Sequence, residues 1–212
     1  MATVTRSALS LSPKIVIFDY GEVISFSPSQ ADRAAIEQLA GVDPEKFWAS
    51  YWGHRAELDL ALEGVREYWA AISADTGAGW DDGRIYELWV ADMRSWMSVN
   101  PATVDVLADL KAGGTRLALL SNAGPDFGSY FRHGILGEYF DAFYVSGELK
   151  LLKPAAAIYQ HVLSDLGISP ADAVFVDNRA DNVTGAEELG ITGHVFTDAG
   201  TLRAFLQSLA SA

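Results

Sequence analysis

Four places along the chain carry residue types that could move a phosphoryl group. Asp19 follows Lys14-Ile15-Val16-Ile17-Phe18, a short β-branched, apolar run that reads as a buried strand. A carboxylate at the end of such a strand can attack phosphorus and form an acyl phosphate, although an Asp there is also a common turn or cap residue. Ser121, after Leu117-Ala118-Leu119-Leu120, offers a hydroxyl and nearby backbone amides to phosphate oxygens, and otherwise reads as a loop turn. Lys153 stands before Pro154, where a helix is expected to begin; a cation at the positive end of a helix calls for a compensating anion. On the same reasoning Lys150 is expected to face solvent. Asp177, Asn178 and Asp181 crowd oxygen donors near another strand end, the kind of ligand a hard cation takes, with Asp181 reading equally well as a helix cap.

The elements that must position these residues follow from hydrophobic period and punctuation. Beyond the first strand the pattern is helical from about 29 to 100, with stops expected at Gly41, Gly64, Gly77 and Gly79. All six tryptophans lie in this stretch, which marks residues 25–99 as a helical insert with its own packing. From Pro101 helices and strands alternate: helix to Ala112, strand Arg116–Leu120, helix 124–133, strand 142–146, helix 154–166, strand 173–177, helix 181–189, strand 194–196 and helix 198–209. Alternation of this kind implies an α/β fold, a Rossmann-like parallel sheet between two helical layers. Residues 1–24 and 100–212 are expected to form that core. Such sheets bind ligands at the carboxyl ends of their strands, where Asp19, Ser121, Ser146 and Asp177-Asn178 stand.

Composition narrows the partners. A net charge of -13 and the lack of a basic cluster argue against nucleic acid. There is no cysteine, which excludes thiolate chemistry and disulfides. Met1 to Pro13 has no sustained apolar core of a signal peptide, and no run suits a membrane span, so a cytoplasmic protein is expected. The insert's aromatics, at helical spacing, are expected in a core or across a homodimer contact.

Phe18-Asp19-Tyr20-Gly21-Glu22-Val23-Ile24, Leu120-Ser121-Asn122, Lys153-Pro154 and Phe175-Val176-Asp177-Asn178-Arg179-Ala180-Asp181-Asn182, in that order across the chain, resemble the four motifs of the haloacid dehalogenase-like superfamily. The resemblance implies a magnesium-dependent hydrolase acting on a small phosphorylated metabolite. Asp19 would be the nucleophile and Lys153 the stabilising cation; Ser121, with Asn122, would bind substrate. Asp19, Asp177, Asn178 and the Gly21 carbonyl would hold Mg2+. A helical insert after the first motif is similar to the family's cap domains, which close over the site. Within the superfamily the wording looks most like bacterial sugar phosphatases of the glucose-1-phosphate type.

Two positions depart from the family pattern. Gly21 stands where phosphatases of the superfamily carry a second Asp as general acid, whose loss typically costs about 10²–10⁴ in rate. That favours a leaving group of low basicity, such as a sugar 1-phosphate or an acyl phosphate. Glu22 is adjacent in sequence, and His54, Arg55 and Glu57 of the insert are the other ionisable residues to weigh as substitutes. Asn178 replaces the more usual Asp and removes a charge from the metal site. Arg55 is the insert residue expected to grip substrate, since a guanidinium suits phosphate or hydroxyls. A degenerate binding module is the alternative reading, supported by Gly21 and Asn178; a haloacid dehalogenase ranks behind it.

Overall fold

The computed structural model describes residues 8–210. Five short strands form one parallel sheet: β1 (Ile15–Phe18), β2 (Arg116–Ser121), β3 (Ala142–Val145), β4 (Ala173–Asp177) and β5 (Thr192–Val195), in the order β3-β2-β1-β4-β5. The chain winds outward through β2 and β3, then crosses back to β4 on the other side of β1. That reversal puts the binding crevice of an open α/β sheet at the tips of β1 and β4. Alternation along β1 divides the core: Val16 and Phe18 face one apolar cluster, Ile15 and Ile17 the other. The first is closed by α5 (Pro101–Ala112), α6 (Asp126–His133) and α10 (Ala199–Ala210), the second by α8 (Ala156–Leu166) and α9 (Ala180–Glu187).

Four helices lie between β1 and α5: α1 (Gln30–Ala40), α2 (Pro44–Asp59), α3 (Val65–Thr76) and α4 (Asp82–Ser95). Their caps are local. Ser29 and Asp32 form a reciprocal box at the start of α1, and Asp43 and Asp81 accept backbone N–H groups of Lys46 and Arg84. Gly41 and Gly77 end α1 and α3 in the left-handed region. Gly64, expected as a stop, instead opens α3, because the chain arrives there extended. Phe47, Tyr51, Tyr68 and Trp69 are buried in a third apolar cluster within these helices, so most of the insert's aromatic surface is used internally. The two connecting segments run side by side, Ser25 bridging Val99 and Asn100 N–H donating to Ile24 O at 2.8 Å. Hydrogen bonds from Trp89 Nε1 to Asp126 and from Ser146 Oγ to Asp59 O, 2.9 and 2.6 Å, tie the insert to the rest.

The sequence expectations fail at several element ends. The helix after Lys153 begins at Ala156, with Ala155 as its cap, so Lys153 does not sit at a helix start and the dipole reasoning for it does not hold. Pro154 lies outside the helix, two residues before its first residue. The last strand starts two residues earlier than expected and ends one earlier, since Thr192 and Gly193 pair with Val174 and Phe175. Ser146 leaves the sheet and heads a short helix, α7 (Ser146–Leu149), whose C-cap is Lys150, exposed as expected.

Helix α9 packs on the Lys153-Pro154 segment through a glycine. A Cβ built at Gly185 would lie 2.6 Å from the Pro154 carbonyl oxygen and 3.1 Å from its Cβ. Gly185→Ala is therefore expected to cost about 1–3 kcal/mol in urea unfolding by overpacking; wild-type stability in this variant would show that the contact has room.

Candidate active site

Three strand tips converge on one ammonium group. Asp19 is the first residue beyond β1, and its N–H extends the pairing with β4 by donating to Val176 O at 2.9 Å. Ser121 ends β2 and Asp177 ends β4; all three residues are buried, Asp177 completely. Lys153 Nζ lies 2.8 Å from Asp19 Oδ1, 2.7 Å from Asp177 Oδ2 and 3.0 Å from Leu120 O. A lysine has three N–H donors, and here each has an acceptor. The backbone of Lys153 is held by Asn122, whose amide donates to Lys153 O and accepts from Lys153 N–H, both at 3.0 Å. Asp177 is braced in turn by Arg179 N–H at 2.8 Å and Asn182 Nδ2 at 3.0 Å.

Two carboxylates and one ammonium in a buried site leave a deficit of positive charge. Burial is the largest influence on Asp19 and pushes its pKa from 3.8 up to about 7; Asp177 adds to the rise and Lys153 opposes it. Burial disfavours the Lys153 ammonium too, but Asp19 and Asp177 outweigh it and hold its pKa above the ordinary lysine value. The carboxylates of Asp19 and Asp177 meet at this end, and Gly21 and Asn178, which carry further oxygen donors, border the adjoining cavity. An all-oxygen set with surplus negative charge fits a small hard dication.

Above these groups lies a cavity of about 440 Å³, bordered by Asp19, Gly21, Ser121, Asn122, Lys153, Asn178 and Arg55. Those residues, singled out by motif or chemistry, share one space. Arg55 is deeply committed: its Nε donates to Asp59 Oδ1 at 3.0 Å, one Nη donates to the Tyr51 hydroxyl at 2.8 Å, and Asp92 lies at 3.5 Å. His54 turns to Asp75 instead, and Asp181 pairs with Arg179 rather than with the Lys153 cluster. Sequence reasoning did not single out Arg179, Asn182, Tyr20, Trp52, Trp96, Phe127 and Phe131, which also border the cavity. Trp52, Arg55, Ala56 and Asp59 recur at helical spacing on α2, a signal that could have shown one face turned to a ligand. Glu22, in the left-handed region at φ 58°, accepts from Asn178 Nδ2 at 2.6 Å and from Ser27 Oγ.

Comparison with known proteins agrees with this architecture. Residues 13–190 match the family described as haloacid dehalogenase-like hydrolase. The chain is 25% identical over 196 residues to a sesquiterpene phosphatase of Aspergillus oryzae, covering 87% of this chain and 90% of that one. It is 28% identical over 189 residues to a phosphoglycolate phosphatase of Pseudomonas aeruginosa, covering 84% and 67%. Haloacid dehalogenases from Pseudomonas and Burkholderia match over shorter stretches, 44% of this chain for one from a Pseudomonas species at 33% identity. In fold it is similar to a haloacid dehalogenase family enzyme of Bacteroides thetaiotaomicron solved with magnesium and inorganic phosphate, at TM-score 0.70, 22% identity and 89% and 98% coverage. An L-2-haloacid dehalogenase of Xanthobacter autotrophicus superposes at TM-score 0.64 with 22% identity, covering 85% and 76%. A converging strand-tip cluster and a family match spanning most of its length agree: the chain belongs to the haloacid dehalogenase-like hydrolases.

Proposed function

We propose that this hydrolase is a phosphomonoesterase of a small phosphorylated molecule, acting through an aspartyl-phosphate on Asp19. The observation that carries the reading is the buried Asp19–Lys153–Asp177 arrangement, whose surplus negative charge suits a magnesium ion and, through it, an incoming phosphate. The phosphatase relatives that match over most of this chain support it. Asp19, Asp177, Asn178 and the Gly21 carbonyl would hold the ion, which when bound offsets charge on the phosphoryl oxygens. The helices of residues 25–99 would act as the cap that keeps bulk water from the cavity.

In the first step an Asp19 oxygen attacks phosphorus, the bond from phosphorus to the ester oxygen breaks, and that oxygen leaves as the alcohol, taking its proton from solvent. Lys153, fixed by three acceptors, keeps Asp19 oriented and neutralises charge beside the transferring group. The Ser121 hydroxyl and the backbone around Asn122 would hold phosphate oxygens. In the second step water attacks phosphorus and releases inorganic phosphate, restoring the Asp19 carboxylate. Gly21 offers no acid to the leaving oxygen. Of the ionisable residues weighed as substitutes, His54 is engaged by Asp75, and Glu22 borders the cavity with its oxygens bonded to Ser27 and Asn178.

With magnesium, a panel of phosphate monoesters should release inorganic phosphate, and Asp19→Asn should lower kcat/KM by roughly 10³-fold or more. Undiminished release by Asp19→Asn would exclude Asp19 as nucleophile. Release by neither protein across the panel would favour a binding module.

A second test follows from the raised pKa of Asp19. Its proton-bound form contributes stability that is fully present below 3.8 and is lost as pH rises through about 7, so this group makes the metal-free fold less stable toward alkaline pH. A dication binds the carboxylate form. Millimolar magnesium is therefore expected to raise Tm more at about pH 8 than at about pH 5, and an equal shift at both would contradict the assignment.

A further inference from the structure

The cavity has a mixed lining. Beside the charged groups of Asp19 and Lys153 it is bordered by Tyr20, Trp52, Trp96, Phe127, Phe131 and Leu152. Phe127 and Phe131 stand one turn apart on α6 with ring centroids 5.7 Å apart, and Tyr20 lies 4.7 Å from Phe131, so this wall is a packed aromatic surface. Trp52 completes it from α2 and is 55% exposed, a large apolar side chain left open beside the cavity.

Five of the polar side chains around the same space already have partners. Arg55 is bound to Asp59 and Tyr51, Asn122 to the Lys153 backbone, Asn178 to Glu22, Asn182 to Asp177 and Arg179 to Asp181. A guest rich in hydroxyls would have to break these bonds or leave its own groups unpaired, which is costly out of water. An aromatic guest needs neither. The lack of an acid at Gly21 points the same way: a phenolic oxygen, with a pKa near 10 in tyrosine, leaves without the proton that a more basic alkoxide needs.

Resting on the phosphatase reading above, we propose that the substrate class is a phosphomonoester with an apolar, aromatic leaving group, rather than a sugar phosphate. The phosphate meets Lys153 and Ser121 and the ring lies against the wall of Trp52, Phe127 and Tyr20. On attack by Asp19 the ester oxygen departs as the phenol or phenolate, taking its proton from solvent.

Binding separates this inference from the reading it rests on, because it needs no turnover. Calorimetry on the full chain carrying Asp19→Asn, with magnesium, would compare 1-naphthyl phosphate with glucose 1-phosphate. The naphthyl ester should bind at least about 10-fold tighter, as expected for burying one aromatic ring. Adding Trp52→Ala, an exposed position that the fold tolerates, should shrink that ratio several-fold. Equal binding of the two esters, or a ratio unmoved by Trp52→Ala, would overturn the inference. Tighter naphthyl binding with no hydrolysis by the wild type would uphold the preference for an aromatic ligand and remove the phosphatase reading, and with it the assignment of that ligand as a substrate.

Discussion

One ammonium group shared by two buried carboxylates is the interaction on which the site depends. Lys153 reaches the tips of β1, β2 and β4 at once, through Asp19, Leu120 O and Asp177. Removing one charge from such a cluster leaves the others desolvated and unpaired, so the strands and the lysine loop constrain one another. Parallel pairing of β1 with both neighbours sets the spacing of the tips. The contacts of Asn122 and Gly185 set where the loop can lie.

The insert meets this centre through a second polar knot. Arg55, Asp59, Asp92 and Tyr51 form a buried network on α2 and α4, and burial is the largest influence raising both aspartates. Arg55 stays charged because its anionic and phenolic neighbours outweigh the cost of burial. The same helix turns Trp52 toward the cavity and Phe47, Tyr51 and Leu58 toward the insert's own core. A single element thus serves packing on one side and ligand space on the other. That double duty explains why α2 is apolar on more than one face.

Much of the core was legible because its signals are local. The runs before Asp19, Ser121 and Asp177 are short, apolar and bounded, and each proved to be a strand of the parallel sheet with its polar residue at the tip. Pairings across the chain were not legible. Nothing near Asn122 says that it clasps the Lys153 backbone, and nothing near Arg55 says that Asp92 lies opposite. Of the two grounds for picking out Lys153, the motif and the helix start, the fold does not support the second: the anions it meets are two carboxylates far away in sequence, and no helix begins beside it. The aromatic wall was hidden for the same reason, since Tyr20, Trp52 and Phe127 come from three separate elements and read singly as core.

The most direct test of the shared charge is the unfolding free energy of Lys153→Met, which keeps the volume and removes the ammonium. At about pH 8 the loss should be about 3–5 kcal/mol, the cost of leaving buried carboxylates without their partner, and it should shrink toward about pH 5 as Asp19 takes up a proton. A loss below about 1 kcal/mol at both pH values would place Lys153 among surface pairs of little consequence and contradict the account.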